Sequence, residues 1–158
     1  MRIRPAAVAD AEELAGLLND IIAEGGKTAI DTPLTGPQFA EWFIIGPHCL
    51  SCLVATTDGA IVGFQALERF HRDLPRGTAD IATFVAGRAR ASGSGRRLAE
   101  ATLALAEKTG VQCIRAVIQR SNGDAIGYYR SLGFRGDADR AGGETVVLLR
   151  RIAPASDA

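Results

Sequence analysis

Apolar positions recur along the chain in two different periods, and the places where one period gives way to the other mark the elements. Ile3 and its neighbours read as a short first strand. Leu14, Leu17, Leu18, Ile21 and Ile22 then repeat at helical spacing, which predicts an amphipathic helix over residues 10–23, ended by Gly25-Gly26. Asp10 with Glu13 three residues on fits a capping box at its start. Residues 27–36 show no period and include Pro33, so they read as a loop. Pro37 opens a second helix through Phe39, Trp42 and Phe43, stopped by Gly46-Pro47, with these aromatics read as core.

Strand signals dominate the middle. Residues 50–57 and 61–70 flank Asp58-Gly59, the dipeptide favoured where both turn residues take positive φ, and so read as a hairpin. Residues 78–85, TADIATFV, are a further strand. A glycine- and arginine-rich turn, GRARASGSGRR at 87–97, runs into a helix with Leu98, Leu103, Leu105 and Ala106 on its apolar side and Gly110 at its end. Residues 111–118 are a strand, 122–132 a helix ended by Gly133, and Phe134 with 145–152 suggest a final strand pair. Without repeat, linker or low-complexity block, residues 1–153 are expected to form a single domain and 154–158 a frayed tail.

Composition narrows the function classes. Eighteen basic and eighteen acidic residues cancel, which argues against a general nucleic-acid binder with a broad basic face. All basic residues but Lys27 and Lys108 are arginine, the side chain suited to forked contacts with phosphate or carboxylate. No apolar run approaches the ~20 residues of a membrane helix, and Met1-Arg2-Ile3-Arg4-Pro5 lacks the apolar core of a signal peptide. Cys49, Cys52 and Cys113 are an odd set, too sparse for a disulfide scaffold. A reduced, cytoplasmic protein is expected.

The informative unit is Arg90-Ala91-Ser92-Gly93-Ser94-Gly95 between a strand and a helix. Glycines let backbone approach a ligand closely, and the first amides of the helix have no partners within it. Together with the helix dipole they form an anion site, with Arg90, Arg96 and Arg97 adding charge. A Walker loop is excluded because no Gly-Lys precedes Ser or Thr. A Rossmann turn lacks its third glycine, since Leu98 stands there, and it would sit nearer the first strand. A plain glycine-rich turn stays open on this segment alone. The R/Q-x-x-G-x-G/A pyrophosphate loop of acyl-CoA-dependent N-acyltransferases fits in full.

Downstream, Asn122-Gly123-Asp124-Ala125-Ile126-Gly127-Tyr128-Tyr129-Arg130-Ser131-Leu132-Gly133-Phe134 resembles the N-x-x-A-x-x-x-Y-x-x-x-G-F segment of the GNAT acetyltransferase superfamily. The N-terminal IRPA…D…L…LLN…I is similar to its phosphinothricin and methionine sulfoximine branch. That resemblance implies an α+β fold, a V-shaped mixed sheet of about seven strands with about four helices, and acetyl-CoA lying in the splay between the fourth and fifth strands. It also implies that Phe84 and Val85 pair with the pantetheine amides, that amides from Ala91, Ser92, Gly93, Ser94, Gly95 and Arg96 hold the pyrophosphate, and that Asn122 reaches the cofactor arm. Ser94 between the glycines and Ala86-Gly87 before the loop depart from the usual pattern without removing an amide donor.

Acetyl transfer to an amine needs a neutral nitrogen, so some group must accept a proton from the ammonium. Asp80 matches the acidic residue of the fourth strand in phosphinothricin-type relatives, with Glu68, His71 and Glu41 in reserve, and a solvated strand start is the plain alternative. Tyr129 matches the family tyrosine beside the leaving sulfur, with core packing as its alternative, and adjacent Tyr128 is expected to face elsewhere. Cys49-x-x-Cys52 has the spacing of a metal half-site but reads as core. Arg69, His71 and Arg72 are candidates for an acidic acceptor. The expected activity is transfer from acetyl-CoA to a small-molecule amine by direct attack in a ternary complex, without metal. A CoA-binding sensor, a protein amine as acceptor, and a nucleotide-binding protein are the alternatives. The apolar strand TVVLL offers an edge for a homodimer.

Overall fold

The computed structural model describes residues 1–153 apart from 29 and 137–142, so the expected tail at 154–158 lies outside the described residues. Among the described residues, six strands form one sheet in the order β1-β2-β3-β4-β5-β6. They are β1 (Arg2–Pro5), β2 (Cys49–Thr57), β3 (Ala60–Glu68), β4 (Thr78–Val85), β5 (Cys113–Gln119) and β6 (Thr145–Arg151). Four helices accompany them: α1 (Ala11–Glu24), α2 (Gly36–Phe43), α3 (Ser94–Thr109) and α4 (Gly123–Ser131). This is the mixed α+β architecture expected from the sequence. Instead of a strand after Phe134, the described residues show one bridge, Arg135 to Leu149. That bridge occupies the outer edge of β6 at Leu149, so this edge is not wholly open to a second chain. Among the described residues no helix is long and apolar enough to cross a membrane.

Local chemistry sets the element ends. Asp58 at φ 51° and Gly59 at φ 81° make the β2–β3 turn. Gly25 and Gly110 end α1 and α3 at positive φ. A capping box exists, but on α2: Thr35 Oγ1 accepts the Gln38 N–H at 3.2 Å and Gln38 Oε1 accepts the Thr35 N–H at 2.9 Å. The box expected from Asp10 and Glu13 does not form. Asp10 instead accepts two hydrogen bonds from Arg4, at 2.7 and 2.9 Å, and one from the Ala7 N–H at 2.8 Å. These hold its carboxyl below the usual range, the Arg4 hydrogen bonds being the largest cause.

The pleat sends alternate residues to opposite faces. Cys52, Val54, Phe64, Ala66 and Phe84 pack under α1 and α2, with Leu14, Leu18, Ile21, Phe39 and Phe43. Leu53, Ala55 and Val62 pack with Leu98 of α3 on the other face. Ile114, Ala116 and Ile118 of β5 meet Tyr129 and Phe134 around α4. Trp42 departs from its expected core position, because the second aromatic of α2 turns outward and stays 44% exposed. Phe64 is fully buried between Phe39 and Phe84, with ring centroids at 5.1 and 5.0 Å. Phe64→Ala should therefore lower the unfolding free energy in urea by about 3–5 kcal/mol.

Candidate active site

Every neighbouring strand pair is antiparallel except β4 and β5, which run parallel. Their pairing covers only Thr78–Cys113, Ala79–Ile114 and Asp80–Arg115, and then it stops. β4 continues to Val85, still paired with β3, so its other edge from Ile81 onward has no strand beside it. A cleft of about 790 Å3 opens there. It is lined by Phe84 and Val85, by Arg90, Ala91, Gly93, Ser94, Gly95 and Arg96, by Asn122, and by Asp80 and Tyr129. Of the cofactor and catalytic residues that the family resemblance marks, every one except Ser92 thus lines one cleft, whereas Arg69, Arg72 and Arg97 lie outside it. Glu68 and His71 also line it, whereas Glu41 is exposed on α2 and lies outside it.

At one end lies the loop before α3. Ala91 and Gly93 hold positive φ, 65° and 91°, and Gly93 caps the helix. The amides of Ala91, Gly93, Ser94, Gly95 and Arg96 have no hydrogen-bond partner among the described residues. Ser92 differs from the expectation, since its amide is spent on the Ala89 carbonyl at 3.2 Å. The arginines also divide. Arg90 pairs with Glu24 at 2.9 Å, and Arg97 donates to the Met1 carbonyl at 2.6 Å and does not line the cleft, so Arg96 is the loop arginine that lines it without an ion pair among the described residues. Gly95 has a steric reason: a Cβ there would stand 3.0 Å from the Tyr128 ring.

Midway along the cleft, Tyr129 is 6% exposed and its hydroxyl lies 2.8 Å from Thr83 Oγ1. Gln65 Nε2 donates to Thr83 Oγ1 at 2.9 Å and to the Tyr128 hydroxyl at 3.1 Å, and Tyr128 donates to the Gly95 carbonyl at 2.7 Å. Tyr128 was expected to face away from the site. It faces the cleft too, its ring 4.9 Å from that of Tyr129, because the cleft wraps from α4 across to the start of α3. Burial pushes both phenols above their ordinary value, and the hydrogen bonds from Gln65 and Thr83 only partly oppose it.

The other end is acidic and aromatic. Asp80, 6% exposed, takes a forked pair from Arg115, Nε to Oδ1 at 2.6 Å and Nη2 to Oδ2 at 3.0 Å. Glu68 stands directly across the β3–β4 ladder from Asp80. Burial raises its carboxyl above the ordinary range and Asp80 adds to this, while the Phe70 amide, His71 and Arg115 oppose it. Trp42, Phe43 and Phe70 wall this end, with centroids 5.7 Å (Trp42–Phe70) and 6.1 Å (Phe43–Phe70) apart. Lys27, Thr28 and Ile30, after α1, also line this cleft, and Thr28 is tied to the end of β5, where Gln119 Nε2 donates to its carbonyl at 3.1 Å. Arg69 is not available to an acceptor: its guanidinium is committed to the Pro75 and Thr78 carbonyls. Cys52 packs in the core and Cys49 donates to the Phe43 carbonyl at 2.7 Å, its thiol pushed up to about 11 by burial.

Arg115, Gln65 and Thr83 were not among the residues marked in the sequence. Arg115 had one signal, a charge in the strand CIRAVIQ, but its partner depends on a parallel register that no local pattern sets. Removing it leaves a buried carboxylate unpaired. Arg115→Met should cost about 3 kcal/mol in urea unfolding, near the lower end for such pairs because Arg115 keeps a quarter of its side chain exposed.

With that geometry in place, the relatives are informative. The model of the Acetyltransferase (GNAT) family matches residues 18–134. An L-methionine sulfoximine/L-methionine sulfone acetyltransferase of Pseudomonas aeruginosa is 29% identical over 142 residues, covering 84% of this chain and 78% of that relative. Among solved structures, a phosphinothricin acetyltransferase from Sinorhizobium meliloti in complex with acetyl-CoA aligns at TM-score 0.83 and 21% identity, over 96% of this chain and 88% of that one. An acetyltransferase from Salmonella typhimurium with its cofactor acetyl-CoA aligns at TM-score 0.83 and 20% identity, over 99% and 96%. The family match spans well over half of the chain and includes the splayed strands, the loop before α3 and the α4 tyrosines: the chain belongs to the acetyltransferase (GNAT) family and is an acetyl-transferring enzyme.

Proposed function

We propose that this protein moves the acetyl group of acetyl-CoA onto the primary amine of a small, amino-acid-like molecule, by direct attack while both are bound. One observation carries the reading. The anion-binding loop and the acidic, aromatic end belong to one cleft, and they meet through the gap that β5 leaves beside β4.

The residues fit acetyl-CoA. The orphan amides of Ala91, Gly93, Ser94, Gly95 and Arg96 suit the pyrophosphate, aided by the positive end of α3 and the guanidinium groups of Arg96 and Arg90. A Cβ at Gly95 would crowd this cradle. The bare edge of β4 at Phe84 and Val85 offers main-chain donors and acceptors to the pantetheine amides, as an added strand would. Asn122, capping α4, stands on the opposite wall.

The chemistry follows from the pleat. Asp80 and Glu68 lie on the face covered by α1 and α2, whereas Thr83 and Gln65 point to the face of α4. A thioester passing through the gap has its sulfur on the Tyr129 side and its carbonyl toward the acids. The carboxylates at the opening take the proton of the acceptor ammonium, which frees its lone pair. Thr83 Oγ1 accepts from Gln65 and shares one hydrogen with the Tyr129 oxygen; with Thr83 as the donor of that bond, the phenol hydrogen is free to face the sulfur. Since burial keeps that phenol protonated, Tyr129 stabilises the leaving thiolate by hydrogen bonding rather than by full proton transfer.

Thr28, held by Gln119, and the wall of Trp42, Phe43 and Phe70 favour a compact acceptor over a protein tail. The methionine sulfoximine acetyltransferases similar to this chain make L-methionine sulfoximine the first acceptor to try. A homodimer would use the exposed apolar positions Val147 and Leu149 of β6, since Arg135 already occupies part of the β6 edge. The test is thiol release from acetyl-CoA with L-methionine sulfoximine and a panel of amino acids and polyamines. Amine-dependent release is expected, and Tyr129→Phe should lower kcat about 10²-fold without weakening acetyl-CoA binding in calorimetry. Bound acetyl-CoA without release to any amine would make the protein a CoA sensor instead.

A further inference from the structure

The proposed function leaves open which carboxylate of the acidic end receives the proton. We infer that Glu68 at the end of β3 is the proton acceptor for the acceptor amine, and that Asp80, clamped by Arg115, is the fixed charge that positions and tunes it. This rests on the transferase reading above.

The two acids differ in what already holds them. Both oxygens of Asp80 are occupied by one guanidinium in forked geometry, at 2.6 and 3.0 Å. A proton arriving at either oxygen would neutralise the carboxylate and so weaken both charge-assisted hydrogen bonds to Arg115. Glu68 is held by one oxygen only: Oε2 accepts the Phe70 N–H at 2.7 Å. Its Oε1 has no hydrogen-bond partner among the described residues, and the side chain lines the cleft. The single bond fixes the carboxylate while leaving one oxygen for a proton.

Position agrees. Glu68 faces Asp80 across the ladder, and Asp80 faces Arg115 at the last rung before β4 and β5 part. The acid pair therefore sits at the vertex of the opening, on the face where Trp42, Phe43 and Phe70 wall the acceptor end. The groups facing Glu68 are Cys49 on β2, Asp80 on β4, Arg115 on β5 and His71 on the turn after β3. Burial and Asp80 raise its affinity for a proton, while the Phe70 amide, His71 and Arg115 moderate it. A carboxylate raised in this way is better matched to abstracting a proton near neutral pH than an ordinary one.

The step balances. One N–H bond of the ammonium breaks and its proton bonds to Glu68 Oε1, leaving the electron pair on nitrogen. That pair forms the C–N bond as the C–S bond breaks and its electrons leave on sulfur. The second proton shed by nitrogen passes to the thiolate, and Glu68 returns its own to solvent at the mouth.

The experiment compares wild type, Glu68→Gln and Asp80→Asn, with acetyl-CoA and L-methionine sulfoximine, across pH. Glu68→Gln should lower kcat about 10²-fold. It should also abolish the acid limb of the kcat/KM profile and leave the acetyl-CoA dissociation constant unchanged, which shows that the variant is folded. Asp80→Asn should keep that limb but move it to lower pH, because it removes a negative neighbour and releases Arg115 toward Glu68; a merely structural role would not move the limb. Alongside, carbon-13 spectra of the glutamate carboxyls should show one resonance titrating above the ordinary range that disappears in Glu68→Gln. Retention of wild-type kcat and acid limb by Glu68→Gln, with their loss in Asp80→Asn, would overturn the assignment in favour of Asp80. If wild type binds acetyl-CoA but acetylates nothing, the transferase reading fails by itself. The carboxyl titration still decides whether Glu68 is the proton acceptor at this vertex, and absence of the raised resonance refutes it.

Discussion

Two parallel strands that stop pairing after three rungs impose the arrangement of everything else in this protein. A sheet interrupted in its middle exposes backbone donors and acceptors, and such groups are costly when buried without partners. The fold leaves the cost standing along β4 from Ile81 to Val85 and surrounds it with the parts a substrate needs. The separation also lets one sheet show both faces to a single space. Residues on the pleat of β3 and β4 that would otherwise lie on opposite sides of a wall share one cleft, with acids on one side and hydroxyls on the other.

The cleft is built from rigid pieces held by unequal ties. Asp80 and Arg115 lock the vertex, and Gln65 spends both amide hydrogens on the hydroxyls of Thr83 and Tyr128. Gln65 Oε1 is left without a partner among the described residues although the residue is fully buried, an orphan acceptor beside the tyrosines. On the acceptor side the loop after α1 is secured by side chains that read main chain: Asn19 bonds both the N–H and the carbonyl of Leu34, each at 2.9 Å, and Gln119 holds Thr28. Apolar packing sets the layers, and a few amide side chains hold the loops in place.

Much of this was readable in the sequence where the cause is local. Asp58-Gly59 specifies its turn by backbone preference, and the loop before α3 announces itself by glycines at a helix start. The alternation in TADIATFV gave the bounds of β4 as they stand. What failed depended on partners far along the chain. Asp10 looked like a cap until Arg4 claimed it, and Trp42 looked like core until its helix packed with that position outward. Tyr128 was set aside on angular spacing, which ignores that a cleft reaching α3 embraces more of the helix than one face. Arg115 was invisible for the deepest reason: a parallel register is fixed by the length of the α3 crossover between the strands, not by any residue in them.

The loop before α3 has an effect beyond the site. Ala91 holds a left-handed conformation that a side chain resists, and the neighbouring amides end without partners. An anion in the loop would satisfy those amides, with Ala91 already holding the conformation that aims them. A ligand that binds only the folded chain adds to its stability by mass action. An anion bound in this turn would thereby slow local opening and proteolysis of the folded protein.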